Sequence, residues 1–217
     1  MELDRDKINI YYYEKYWMKE LEKKVWLNLG SGNLLIPSSD TVHCINIDWA
    51  DDVPYAGETV IKHDLRDGLP KFIQPDSVDF INMSQFFEHL NLPDELRLLE
   101  DCHRVLKKDG NGTMRITVPD GPYLIGTWED QGMDDFVGVQ PEIYTRFKDP
   151  FIKLSLMLFG SLHQHGDSGH KMMWSGAGLE EVLRNTGFRD IIEDTGFNPR
   201  FDAPVAENHQ LAVECGI

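Results

Sequence analysis

The sequence predicts a single α/β domain built around a largely parallel β-sheet. Short apolar segments with the character of buried strands recur along the 217 residues, and amphipathic helical patterns alternate with several of them. Strands that alternate with helices favour parallel pairing, because a crossover helix returns the chain to the same edge of the sheet. No linker rich in Gly, Ser or Pro and no internal repeat divides the chain. We therefore expect one domain over residues 1–217.

Seven segments are predicted to be strands. Each is a short run dominated by apolar and β-branched residues: 25–29, 42–48, 59–61, 78–83, 113–119, 189–193 and 209–214. The final two segments have no helix between them, so a hairpin connection would make the last strand antiparallel.

Three segments are predicted to be helices. Residues 8–24 carry apolar side chains at helical spacing, with Glu and Lys between them. Residues 93–108 start with Pro and acidic side chains, end with two lysines and are followed by a glycine that stops the helix. The third helix spans 175–187. Residues 120–174 show no regular periodicity, so they are predicted to be irregular.

The charge balance excludes several classes of partner. Lys and Arg total 21 against 37 Asp and Glu, which gives a net charge of −16. Such a chain repels a phosphate backbone, so we expect no nucleic acid partner. No run of 18 apolar residues is present, and the opening segment is acidic rather than signal-like. We therefore expect no membrane partner.

The three cysteines indicate the compartment. Cys44, Cys102 and Cys215 are far apart, and an odd number of scattered cysteines argues against a disulfide framework. We predict reduced thiols in a cytoplasmic protein.

A glycine-containing turn follows the first predicted strand. Gly30 and Gly32 let the backbone bend sharply and let a ligand approach without a Cβ in the way. Asp48 ends the next strand, where a carboxylate can accept hydrogen bonds from two ribose hydroxyls. Dinucleotide-binding folds need a third glycine and a helix that holds a pyrophosphate, but Leu34 takes that position. The pattern indicates a nucleoside ligand without a phosphate, such as S-adenosylmethionine, with a plain structural turn as the alternative.

Several motifs in order carry a family resemblance. They are LNLGSGN, INIDW, HDLRDGLP, DSVDFINMSQFFEHL, LPDELRLLEDCHRVLKKDG and GTMRITVPD. Together they resemble a class I S-adenosylmethionine-dependent methyltransferase of the small-molecule branch, and the match covers residues 25–120. The resemblance implies a Rossmann-like fold: a seven-stranded, mostly parallel sheet with an antiparallel last strand and helices on both faces. It also implies S-adenosylmethionine as the cofactor.

The resemblance implies a methionine pocket at the glycine turn. Its residues are Asn28, Leu29, Gly30, Ser31 and Gly32. Two positions depart from the commonest family pattern. Ser31 stands where a Cys is frequent, and Leu34 stands where a third Gly is frequent.

The resemblance also implies a ribose and adenine site. Asp48 would hold the ribose, and Trp49 would lie against the adenine. Asp64 would accept a hydrogen bond from the adenine amino group, and Leu65 would offer its backbone amide to the ring. A buried core position for Trp49 and a turn position for Asp64 are the alternatives.

Three further residues complete the implied cofactor site. Met83 and Ser84, at the end of the fourth strand, would lie near the sulfonium side of the cofactor. His89 would close the same edge of the pocket. Partial burial at the start of a helix is the alternative for His89.

Three histidines stand out in the irregular segment. His163, His165 and His170 lie within residues 121–174, which follow the fifth strand and are predicted to form a substrate-side lid or insertion. We predict that His170 and His163 are catalytic, as a base or as contacts to the acceptor. A metal site formed by the three histidines and a purely structural loop are the alternatives. We predict that no metal is bound.

The predicted function is transfer of a methyl group from S-adenosylmethionine to a small-molecule hydroxyl or amine, such as a sugar or another metabolite. A non-catalytic protein that binds the cofactor for regulation is one alternative, because fold does not determine function. An NAD-dependent short-chain dehydrogenase is a lesser one, since Tyr144 and Lys148 have its catalytic spacing. Residues 11–13 and Trp17 could serve a homodimer contact or a cover over the cofactor.

Overall fold

The computed structural model describes residues 23–49, 60–131, 155, 169–194, 198, 200–202 and 210–217. Among them, one sheet of seven strands organises the protein. The strands are β1 (Lys24–Leu29), β2 (Val42–Asp48), β3 (Val60–Lys62), β4 (Phe80–Ser84), β5 (Thr113–Pro119), β6 (Arg189–Asp194) and β7 (Gln210–Gly216). All seven predicted strands are therefore present, with ends shifted by at most two residues.

The strand order is β3-β2-β1-β4-β5-β7-β6. The pairs among β1 to β5 are parallel, and β7 runs antiparallel to both β5 and β6. The chain therefore has the predicted mostly parallel sheet with an antiparallel last strand. The order reverses between β1 and β4, and the carboxyl ends beside such a reversal are where open α/β sheets bind ligands.

Alternate residues of the central strands face two different layers. Leu27, Leu29 and Ile81 belong to the face that forms the apolar core. The opposite face carries a buried polar row in which Asn46, Asn28, Asn82 and Arg115 are register neighbours on four adjacent strands. The three asparagines are at most 2% exposed.

The apolar face is covered by two helices, α1 (Leu92–Val105) and α3 (Gly176–Asn185). The side chain of Asn91 caps α1 by accepting a hydrogen bond from the Asp94 amide at 3.1 Å. The helix ends at Val105, three residues before the predicted end at Lys108. The reason is that Leu106 adopts an extended conformation and pairs as a parallel bridge with Val78.

Two sequence predictions need correction. Residues 121–131, predicted to be irregular, form helix α2 (Gly121–Gln131). The Asp120 carboxylate accepts from the Tyr123 amide at 3.1 Å, which is the capping interaction that starts this helix. Lys24, predicted to end the N-terminal helix, is the first residue of β1 and pairs with Val42.

The rest of the predicted helix, 8–22, lies outside the described residues, as does most of the predicted lid. The three cysteines are buried, and no disulfide links them. Within the described part of the chain, no helix has both the length and the apolar character needed to cross a membrane. The described helices α1 and α3 cover one face of the sheet, so helices on both faces stay a prediction.

Candidate active site

The glycine turn is fastened to the strand beside it. The amides of Gly30 and Ser31 both donate to the carbonyl of Ile47, at 2.9 and 3.2 Å. Gly30 and Gly32 have φ values of +62° and +46°, in the left-handed region that favours glycine. The amide of Gly32 donates to Oδ2 of Asp48 at 2.8 Å, so the turn and the acidic strand end are directly connected.

Asn28 supports the turn from the polar face of the sheet. Its Nδ2 donates to the Leu34 carbonyl at 2.7 Å and to Oδ1 of Asn46 at 2.9 Å. Asn46 in turn accepts from the Ile36 amide at 2.9 Å and donates to its carbonyl at 3.1 Å. The two asparagines hold residues 34–36 in an extended path, where a dinucleotide-binding fold would place a helix.

A pocket opens at the carboxyl ends of β1 and β2. It is lined by Gly30, Asp48, Trp49, His63, Asp64, Leu65, Arg66, Gln85, Phe86, His89, Leu90 and Lys171. Six of the twelve predicted cofactor residues are in this lining: Gly30, Asp48, Trp49, Asp64, Leu65 and His89. The other six predicted residues, Asn28, Leu29, Ser31, Gly32, Met83 and Ser84, lie around it without lining it.

The predicted adenine side carries an ion pair next to an exposed ring. Trp49 is 47% exposed, which rules out the alternative of a buried core position. Both carboxylate oxygens of Asp64 accept from Arg66, whose Nη2 lies 2.7 Å from Oδ2. These bonds lower the pKa of Asp64. The Arg66 guanidinium also lies 5.5 Å from the centre of the Trp49 ring.

The pocket wall after β4 is formed by Gln85 and Phe86 rather than by the predicted pair. Met83 is fully buried in the apolar core, and Ser84 accepts a hydrogen bond from Thr117 Oγ1 at 3.0 Å. The Phe86 ring packs so closely over Gly30 that a Cβ added there would overlap it. The aromatic pair FF in the sequence is the signal that could have indicated this wall.

The structure brings His170 to His89, the residue predicted to close the pocket edge. Their ring centroids are 4.8 Å apart, with an edge-to-face angle of 66°. Nε2 of each histidine lies 3.9 Å from Oε1 of Glu88. Burial raises the pKa of Glu88 to about 8. His163 lies outside the described residues, so its predicted role stays a prediction.

The segment that carries His170 is fixed at several points to the elements beside the sheet. The amides of Lys171 and Met172 both donate to the Glu88 carbonyl, at 2.8 and 3.2 Å. Trp174 Nε1 donates to Oε1 of the buried Glu95 at 3.2 Å, and the Trp174 carbonyl accepts from Gly121 at 2.9 Å. Lys171 therefore lines the pocket, and His170, which is not part of the lining, is held beside it against His89. Glu88 and Glu95 were not singled out by the sequence pattern, because nothing in a sequence shows that a glutamate is buried.

Comparison with known proteins agrees with this geometry. A family model described as a methyltransferase domain matches residues 38–113. The chain is similar to solved S-adenosylmethionine-dependent methyltransferases from Archaeoglobus fulgidus (15% identity, TM-score 0.51, 98% of this chain and 94% of that one) and Mesorhizobium loti (15%, 0.52, 98% and 99%). It is also similar to one from Thermotoga maritima, described as a possible histamine N-methyltransferase (15%, 0.52, 97% and 94%). No curated protein sequence matches the chain.

The structural likenesses, at 15% identity, establish the fold. The family match contains Asp48, Asp64 and His89 of the pocket lining. The chain therefore has the fold of S-adenosylmethionine-dependent methyltransferases, and its residues 38–113 match the methyltransferase-domain model.

Proposed function

We propose that this protein transfers the methyl group of S-adenosylmethionine to a hydroxyl or amine of a small molecule. The observation that carries the proposal is the direct bond between the Gly32 amide and Asp48 beside the pocket. It joins a turn with glycine on both sides of Ser31 to a carboxylate at the end of the neighbouring strand. That pairing suits a nucleoside that carries a sugar diol and no phosphate.

In this proposal the cofactor lies across the ends of β1, β2 and β4. Asp48 accepts hydrogen bonds from the ribose hydroxyls, and Trp49 covers one face of the adenine. The amide of Leu65 lies at the ring edge. Because Asp64 is already engaged by Arg66, contact with the adenine amino group would need one of its oxygens to be shared. Asn28, Leu29, Ser31 and Gly32 shape the methionine end from behind, with Met83 and Ser84 beneath the sulfonium.

The acceptor is proposed to enter beside His89, His170 and Lys171. Methyl transfer from a sulfonium is an in-line displacement, so the enzyme acts mainly by positioning the donor and acceptor, which can contribute about 7–11 kcal/mol. A hydroxyl or ammonium acceptor must also lose a proton. His170 is the residue proposed to act on the acceptor, because backbone bonds from its neighbours hold it at the pocket edge.

The lesser alternative, an NAD-dependent dehydrogenase, has a specific observation against it. The polypeptide after the glycine turn is held extended by Asn28 and Asn46, so the helix that binds a pyrophosphate is not formed there. Tyr144 and Lys148 lie outside the described residues. The regulatory alternative shares the cofactor pocket, so only a turnover measurement distinguishes it from the enzyme.

The experiment is a transfer assay with an isotopically labelled methyl donor. The protein is incubated with labelled S-adenosylmethionine and a metabolite extract, supplemented with small amines and polyols, and labelled products are identified by mass spectrometry. We expect a labelled small molecule and S-adenosylhomocysteine in equal amounts. His170→Ala should lower turnover without changing the affinity for S-adenosylmethionine. Cofactor binding without any labelled product would favour the regulatory alternative.

The proposal also covers the type of acceptor, the domain organisation, the compartment and the oligomeric state. The net charge of −16 favours small acceptors over nucleic acids. We also propose a single domain in the cytoplasm, with a homodimer contact through residues 11–13 and Trp17. Gel filtration of the wild type and of Trp17→Ala tests the dimer, since loss of the contact would shift the protein to the monomer volume.

A further inference from the structure

We propose that Glu88, His89 and His170 form a binding site for one divalent transition-metal ion, with the ligand preference of zinc, at the edge of the cofactor pocket. The three residues each offer one ligand atom, and these atoms lie within 4.8 Å of one another. Two imidazole nitrogens and one carboxylate oxygen are the donors of zinc sites that keep a fourth position open to water or substrate. Imidazole donors disfavour magnesium and calcium.

The separations suit an ion after small side-chain adjustments. A tetrahedral ion with bonds of about 2.1 Å places neighbouring ligand atoms about 3.4 Å apart. Nε2 of His89 and Nε2 of His170 each lie 3.9 Å from Oε1 of Glu88. The distances of 3.9 Å are too long for direct hydrogen bonds. Coordination requires these separations to close by about 0.5 Å, and the widest separation in the set, up to 4.8 Å, to close by about 1.4 Å, which side-chain rotation can supply.

Glu88 supplies an independent observation. Its side chain is 1% exposed, and among the described residues neither carboxylate oxygen has a hydrogen-bond partner. Buried side-chain oxygens that make no hydrogen bonds are unfavourable, and a metal ion would supply the partner that they lack. The two histidines are the nearest groups of suitable chemistry, and their side chains keep 26% and 23% exposure, so an ion can reach them from solvent.

The backbone preorganises this arrangement. The Glu88 carbonyl accepts from both Lys171 and Met172, so the segment after His170 is fastened to the residue that provides the carboxylate. His89 follows Glu88 directly and lies in the pocket lining. Fixed ligands lower the entropic cost of coordination, which is the property that separates a binding site from an accidental cluster.

The chemical consequence rests on the proposed function, although the binding itself does not. An ion held here has its open position beside the acceptor end of the pocket. A hydroxyl coordinated at that position would have a lowered pKa and could release its proton to solvent near neutral pH. The methyl acceptor would therefore carry a hydroxyl oxygen able to coordinate a metal.

The test is metal binding, measured without turnover. EDTA-treated full-length protein is titrated with Zn²⁺ in competition with a chromophoric chelator, and with Co²⁺ by visible absorption. We expect one tight Zn²⁺ per chain and Co²⁺ bands typical of nitrogen and oxygen ligands. Glu88→Gln and His170→Ala should each weaken Zn²⁺ binding by more than the about 10–100-fold typical of residues that only orient a ligand. His103→Ala, on α1 and packed against Phe188, should bind as the wild type does.

Three outcomes would overturn the site. The wild type could fail to bind stoichiometric Zn²⁺, both ligand variants could keep the wild-type Zn²⁺ affinity, or only His163→Ala could lose Zn²⁺ binding. Glu88→Gln keeps the side-chain shape and adds no buried charge, so it is the variant that should fold in any case, as circular dichroism can verify. Titration of the EDTA-treated protein with S-adenosylmethionine separates the two proposals, because loss of cofactor binding contradicts the proposed function and leaves the ion site standing.

Discussion

The Gly32 amide donates a hydrogen bond of 2.8 Å to Oδ2 of Asp48, across a separation of 16 residues. The bond orients the carboxylate and the glycine turn as one unit before any ligand binds. We therefore expect Asp48→Ala to weaken binding of S-adenosylmethionine by roughly 10-fold or more, the scale of one or two lost hydrogen bonds to a charged group. Isothermal titration checks this. Asp40 is an exposed aspartate on the preceding loop, so Asp40→Ala is the matched control and should leave the affinity unchanged. Equal affinities of the wild type, Asp48→Ala and Asp40→Ala would contradict the ribose role of Asp48.

The two glycines of the turn should respond differently to substitution. Gly30→Ala places a methyl group into the Phe86 ring, whereas a Cβ on Gly32 meets nothing within 4 Å. Both substitutions carry the strain of a left-handed residue, about 1–2 kcal/mol, but only Gly30→Ala adds steric overlap. We expect Gly30→Ala to be the more destabilising in urea unfolding and to abolish cofactor binding.

A double variant isolates the steric part. Phe86→Ala in the Gly30→Ala background removes the overlap while the backbone strain stays. The double variant should therefore be more stable than the sum of the two single effects predicts. Additive effects would mean that the ring can move aside at little cost.

Glu95 should make the protein less stable as the pH rises. Burial raises its pKa from the ordinary 4.5 to about 8, against a smaller opposing effect of the Trp174 hydrogen bond. The folded state then holds a proton that the unfolded chain releases near pH 4.5. The contribution of Glu95 to the free energy of unfolding is therefore fully present below pH 4.5 and is lost as the pH rises through about 8.

Glu95→Gln should flatten this dependence, by an amount on the order of a few kcal/mol between pH 5 and 8. The amide oxygen can still accept from Trp174. Urea unfolding at several pH values, with EDTA present, provides the measurement. Glu100→Gln, an exposed glutamate on the same helix, should retain the wild-type profile; parallel profiles for wild type and Glu95→Gln would show that Glu95 is ionised in the folded state.

The ion pair between Arg115 and Asp202 should matter for stability and not for the cofactor. Arg115 Nη2 and Nε donate to the two carboxylate oxygens at 2.8 and 3.1 Å, and both side chains are at most 1% exposed. Asp202→Asn removes the buried carboxylate partner of Arg115 and leaves the half-exposed Glu214 as its acidic partner, which should cost up to about 3–5 kcal/mol. Glu214, the other acidic partner of Arg115, is 52% exposed. Glu214→Gln should therefore cost about 1 kcal/mol or less. Thermal unfolding compares the variants, and similar losses in both would contradict the role of burial.

The sheet was predictable because its strands are buried on at least one face and so appear as short apolar runs. The end of helix α1 and the presence of helix α2 were not predicted, because each depends on a single contact that the apolar pattern does not show. Leu106 is an apolar residue in helical register, yet it pairs with Val78 as a strand would. Helix α2 has a weak apolar pattern and begins at a cap on Asp120, an interaction of one side chain that periodicity does not reveal.

For the candidate site, the residues beside backbone turns were the predictable ones. Gly30, Asp48 and Trp49 lie in the pocket lining. They could be predicted because a turn and a strand end have local sequence signals. Gln85 and Phe86 replaced Met83 and Ser84 in the lining, since the strand extends to Ser84 and keeps Met83 in the core. The alternation of a strand decides which side chain faces inward, and a shift of one residue inverts it.

The sequence by itself determined the α/β class, the order of the strands and the turn that points to a nucleoside, because these depend on interactions between near neighbours in the chain. Only the tertiary structure decided that Glu88 is buried and that His170, more than 80 residues further along the chain, lies beside Glu88 and His89. Burial and long-range proximity arise from how the sheet packs, and it is this packing that turns an ordinary glutamate and two histidines into a candidate metal site.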